Sequence, residues 1–136
     1  MNRRRLLRLG GATLVAMISA GCSATGRSGG VKRVSMTDDF GFDPERLTVS
    51  TGTTIRWVND SDIVHTVTAY EDEIPDDATY FASGGFESER AARNELTGGL
   101  IGPGGAYEHT FDVPGTYEYY CIPHESSGMV GSIVVK

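Results

Sequence analysis

This chain of 136 residues holds two cysteines, three histidines, one tryptophan and few lysines. Each scarcity excludes something. Two cysteines, one of them (Cys22) beside a leader-like segment, cannot build a disulfide framework, so Cys121 is free for other chemistry. No apolar run reaches the ~20 residues needed to cross a bilayer, since the longest, Leu9 to Gly21, is about 13 long. Positive charge is also in short supply, with 12 basic against 18 acidic residues and a formal net charge of −6. Residues 1–21 carry four arginines and no acid, so the remainder has 8 basic against 18 acidic residues, a formal −10. That balance argues against nucleic-acid binding.

What is present begins with an address. Arg3-Arg4-Arg5-Leu6-Leu7-Arg8 followed by small apolar residues reads as an export signal over residues 1–21, and Arg-Arg-x-Leu-Leu resembles a twin-arginine signal. Ser19-Ala20-Gly21-Cys22 resembles a lipoprotein box with Cys22 at the lipidation position, although Ser19 stands where Leu is usual. Residues 22–30 form a Gly/Ser tether, and residues 31–136 form one domain, large enough to bury a core without staples.

Within the domain, β-prone runs alternate with Gly, Pro, Asp and Asn. The runs Val31–Met36, Arg46–Ser50, Thr53–Asn59, Val64–Tyr70, Ala106–Val113, Thr116–Cys121 and Met129–Val135 predict seven or eight strands. This implies an all-β, two-sheet Greek-key sandwich. Ser88 to Leu96 breaks the pattern: Glu-Arg-Ala-Ala-Arg-Asn-Glu-Leu is made of helix formers, Ser88 can cap it, and Gly98-Gly99 can end it. Strand alternation puts Tyr117, Tyr119 and Cys121 on the inner face, with Glu118 and Tyr120 on the outer one.

The chemistry is concentrated near the end of the chain. Cys121-Ile122-Pro123-His124, with Gly128-Met129 four residues on, brings a thiolate, an imidazole and a thioether onto one loop. Such donors suit a soft transition metal, and two histidines with one cysteine and a weak axial methionine make a blue-copper electron-transfer site. A second histidine must come from elsewhere, and His65 is the best candidate. His109 shares its strand parity with Tyr107 and Phe111 and lacks the support of neighbouring donors.

The Cys-x2-His-x4-Met spacing between an aromatic strand and a Gly-x-Ile-Val-Val strand resembles the small cupredoxins, most closely plastocyanins and halocyanins. The likeness extends to Val64-His65-Thr66-Val67 and the acidic turn after it, covering roughly residues 31–136. It implies one copper ion cycling Cu(I)/Cu(II), with His65, Cys121, His124 and Met129 as ligands. It also implies a monomeric one-electron carrier that meets its redox donor and acceptor transiently. The acidity of a small exported domain with few lysines resembles haloarchaeal proteins. Export and a lipid anchor at Cys22 would place the domain at the outer face of the membrane, between membrane-associated partners.

Further roles follow from the same resemblance. Thr66, where plastocyanins usually have Asn, is placed to hydrogen-bond the ligand loop. Tyr120 is expected at a second electron-entry surface. The acidic stretch Glu71 to Asp77 is either a solvated turn or a docking patch. Ile101, Gly102, Pro103, Gly104, Gly105 and Pro123 form an apolar, glycine-rich docking surface near His124. Two alternatives to the carrier stand: a copper oxidase or reductase, which would need more ligands than three histidines provide, and a copper-delivery protein, which would favour exposed ligands.

Overall fold

The structure, a computed structural model, describes residues 30–136; the leader, Cys22 and most of the tether lie outside them. Apolar and polar residues alternate along the chain, and burial follows that alternation. In β4 (Thr53–Asn59), Ile55 and Trp57 point inward while Arg56 is exposed; in β8 (Val130–Val135), Gly131, Ile133 and Val135 are buried in turn.

Eight strands result among the described residues. The others are β1 (Val31–Met36), β2 (Phe42–Asp43), β3 (Arg46–Val49), β5 (Thr68–Ala69), β6 (Ala106–Phe111) and β7 (Gly115–Tyr120). They form two four-stranded sheets, ordered β2-β1-β4-β6 and β3-β8-β7-β5, with parallel pairs β1–β4 and β3–β8. The expected all-β sandwich is the fold found. Trp57 sits at its centre, with Tyr119 edge-on at 5.3 Å and Phe81 and Tyr107 stacked at 6.0 and 5.6 Å. The Tyr119 ring lies across Gly131, where any Cβ would meet the ring at 2.6 Å. β1 starts with Val31 at one pole, paired to Thr54, and ends with Met36 paired to Asn59 at the other.

Three expectations are corrected. The strand expected over Val64–Tyr70 survives only as Thr68–Ala69, because the chain there changes partners. His65 bridges to Ile101, whereas Thr68 pairs with Ala82 on one side and Tyr120 on the other, so no continuous ladder can form. The helix α1 spans Glu89–Asn94, with Ser88 Oγ accepting from Ala91 N–H at 3.1 Å, but it stops short of Gly98. Leu96–Gly99 tightens into a 3-10 turn that lets Gly99 press against Ser83; a Cβ on Gly99 would lie 2.8 Å from the Ser83 carbonyl.

Tyr120 is the third. It points away from the core as alternation requires, yet it is 0% exposed. Tyr70 and α1 cover it: Tyr70 stacks on its ring at 4.2 Å, the Arg93 guanidinium lies 4.5 Å above it, and its hydroxyl donates to Glu89 at 2.9 Å. An outward face is not an exposed one when another segment packs on it.

Candidate metal centre

One pole of the sandwich gathers three chain segments. Cys121 follows β7 directly and is fully buried, and its N–H donates to the Met129 carbonyl at 3.0 Å. A short 3-10 segment, Ile122–Ser127, then turns the chain, with Pro123 in its first turn, and Gly128 at φ 89° closes it. A residue with a Cβ is disfavoured in that left-handed conformation, which accounts for glycine here. The turn returns Met129 N–H to the His124 carbonyl at 3.2 Å, and the Met129 side chain is fully buried.

His65 enters from the β4–β5 connection. Its N–H donates to the Ile101 carbonyl at 3.1 Å, and Ile101 N–H donates back at 2.7 Å, so the main chain is pinned on both sides. His65 Nδ1 lies 3.7 Å from Cys121 Sγ, and His124 Nδ1 lies 3.3 Å from the same sulfur. All three donor atoms fall within 4.8 Å of one another. Metal–nitrogen and metal–sulfur bonds of about 2.0 and 2.3 Å in a trigonal set would place such donors roughly 3.5–3.7 Å apart. The donor set therefore fits a single ion.

The surroundings hold this arrangement. Thr66 N–H donates to Cys121 Sγ at 3.3 Å, and Ile122 N–H donates to Thr66 Oγ1 at 2.8 Å, so Thr66 does bond the ligand loop. Burial pushes the Cys121 thiol up, opposed by the Thr66 and His124 backbone groups, and metal binding must expel that proton. Burial also lowers the pKa of His65, helped by the charge of His124 and opposed by Thr37 and Asp38, and lowers that of His124. Both shifts favour the neutral imidazole, the form that ligates.

Several participants were not foreseen. Phe40, at φ 61° and 40% exposed, lies against the His124 ring with centroids 4.6 Å apart. His65 Nε2 lies 2.9 Å from Ser61 Oγ. Arg93 bonds Glu125, the residue after His124, at 3.1 Å, and Tyr70 donates to Glu125 at 2.8 Å, so α1 grips the ligand loop. Apart from Ser61, four residues before His65, these contacts join segments that only folding brings together, which no spacing rule would have found.

His109 lies elsewhere, half-buried and stacked on Phe81 at 4.7 Å, outside the donor group. Of the expected docking surface, Gly102, Pro103, Gly104 and Pro123 are exposed and Gly105 is half-buried, but Ile101 is buried by its bridge to His65. Within the acidic stretch, Glu71 to Glu73 are exposed, and Glu71 exchanges N–H···carboxylate bonds with Glu89 at 2.9 and 3.0 Å.

A β-sandwich with a buried thiolate and two imidazoles meeting at one pole is the arrangement of a blue-copper electron-transfer domain. The chain belongs to the family of copper binding proteins described as plastocyanin/azurin, which residues 30–136 match. That family binds one copper, for which His65, Cys121 and His124 are the candidate ligands. The plastocyanin of Scenedesmus fuscus is 35% identical over 95 residues, covering 70% of this chain and 86% of that one. Pseudoazurin from Methylobacterium extorquens AM1 superposes with a TM-score of 0.57 at 26% identity, over 77% of this chain and 74% of its own. A copper-containing nitrite reductase from Thermus scotoductus SA-01 gives 0.57 at 25% identity, but the match covers 76% of this chain and only 22% of the reductase.

Proposed function

We propose that this protein is a mobile one-electron carrier that holds its copper with His65, Cys121, His124 and an axial Met129. The observation that supports this most is the meeting of Cys121 Sγ with Nδ1 of His65 and Nδ1 of His124, at 3.7 and 3.3 Å. Bound copper, cycling between Cu(I) and Cu(II), supplies the redox chemistry. The protein's part is to keep the donors still: Thr66, Ile101 and the Cys121–Met129 main-chain bond fix them independently of oxidation state. His124, the ligand at the surface, is the route for electrons, with the exposed Phe40 and Pro123 beside it. A small contact there suits transient redox encounters as a monomer.

Export through residues 1–21 and lipidation at Cys22 would hold the domain at the outer face of the membrane, beside membrane-associated donor and acceptor proteins. A halocyanin-like, haloarchaeal character would agree with the acidic charge.

The likeness to part of a nitrite reductase keeps a copper enzyme as the second reading. Among the described residues one His/Cys cluster is found, and its cysteine is buried, which favours the carrier over an enzyme or a copper-delivery protein. Optical spectra of the copper-loaded protein test the assignment. The wild type should be intensely blue, Cys121→Ser colourless in the visible, and His109→Gln unchanged. A Cys121→Ser protein that keeps the wild-type absorption overturns the ligand set, and a nitrite-induced spectral change favours the enzyme.

A further inference from the structure

We propose that Asn59 and Ser61 select the tautomer of His65 and thereby the nitrogen it offers to copper. The inference rests on the reading of His65 as a ligand. Main-chain groups around these side chains have fixed roles as donor or acceptor.

Ser61 N–H can only donate, and it lies 2.9 Å from one terminal atom of the Asn59 side chain, so that atom is the oxygen Oδ1. The other terminal atom, Nδ2, lies 2.7 Å from the Ile63 carbonyl and 2.9 Å from the Ile101 carbonyl, both of which can only accept. Three backbone groups thus fix the orientation of the amide. Oδ1 is 2.6 Å from Ser61 Oγ, and since the amide oxygen has no hydrogen, the serine hydroxyl must donate. Its longer alternative, the Ile63 carbonyl at 3.1 Å, also takes that proton away from the histidine.

A hydroxyl has one proton. Toward His65 Nε2, at 2.9 Å, Ser61 Oγ can therefore only accept. His65 must carry its proton on Nε2, which leaves the Nδ1 lone pair free on the side facing Cys121 Sγ. All three side chains are buried, so water does not compete for these bonds. Ser61 is a positioning residue acting through His65, and Asn59 acts through Ser61.

The test uses NMR of the metal-free protein with 15N-labelled histidine, at a pH where His65 is neutral. The wild type should show His65 protonated on Nε2. Ser61→Ala should shift the population toward the Nδ1-protonated form, and Ser61→Thr, which keeps a hydroxyl, should restore it. Competition with a Cu(I) chelator should show affinity falling about 10- to 100-fold in Ser61→Ala and recovering in Ser61→Thr. A wild-type His65 protonated on Nδ1, or an unchanged population in Ser61→Ala, overturns the proposal. Should Ser61→Ala not fold, the wild-type tautomer decides it. A wrong tautomer in a protein that still loses its colour in Cys121→Ser sinks this inference alone, whereas a retained colour sinks the ligand reading and leaves the tautomer result standing.

Discussion

His65 and His124 present the same atom, Nδ1, to the same sulfur, yet their circumstances are opposite. His65 is fully buried, bonded through its main chain to Ile101 in both directions and through its ring to Ser61. His124 sits on a six-residue turn, partly open to solvent, with the exposed Phe40 ring against it on one side and the buried His65 ring edge-on at 5.1 Å. The difference separates two jobs. A buried histidine tied to the sheets can set geometry but reaches no partner, and an exposed one can pass an electron but needs its loop to be held.

Unfolding of the metal-free protein should expose this asymmetry most. His65→Ala empties a buried site and strips Ser61 of its donor, which should cost about 2–4 kcal/mol. His124→Ala removes a half-exposed ring and should cost about 1 kcal/mol or less. Equal losses in denaturant titrations would erase the distinction between anchor and port.

Met129, the proposed axial ligand, sharpens the comparison. Replacing its soft thioether with the harder oxygen of Met129→Gln should favour Cu(II) and lower the reduction potential measured by voltammetry. A potential that stays or rises would assign Met129 to packing alone, leaving the two histidines and Cys121 as the whole set.

The smallest effect concerns the His65 side at its rim. Asp60, between Asn59 and Ser61, accepts from Ser35 at 2.6 Å and from Arg33 at 2.9 Å, and these bonds hold its carboxyl below the usual range. A depressed folded-state pKa contributes stability above the unfolded value of 3.8 that is lost as pH falls through the folded value. Wild type should therefore lose slightly more stability than Asp60→Asn between about pH 5 and pH 3, and less so in high salt, since the pair is exposed. Identical acid profiles would show that Asp60 does not brace the turn carrying Asn59 and Ser61.

The sequence disclosed His124 and Cys121 readily because one short loop carries them at fixed spacing, and strand alternation correctly turned Cys121 inward. His65 was legible through the resemblance of Val64-His65-Thr66-Val67 to the first-ligand strand of plastocyanins. What stayed hidden depends on distant segments meeting. Tyr120 obeys alternation but is sealed by Tyr70 and by Arg93 of α1. Ile101 reads as surface until its bridge to His65 is seen. Asn59 and Ser61 look like ordinary turn residues, and their roles emerge only when each donor and acceptor is traced.

The direction of β1 carries a consequence for how the molecule would hang from any attachment. Val31 opens the strand at the pole remote from the metal centre, and Met36 closes it beside Asn59. Five steps of roughly 3.3 Å put about 17 Å between those ends. Whatever precedes Val31 thus joins the domain at its far pole, like a mooring line at the stern. A surface holding the chain by that end would see the back of the molecule, while His124 and Phe40 ride on the bow, turned toward whatever approaches.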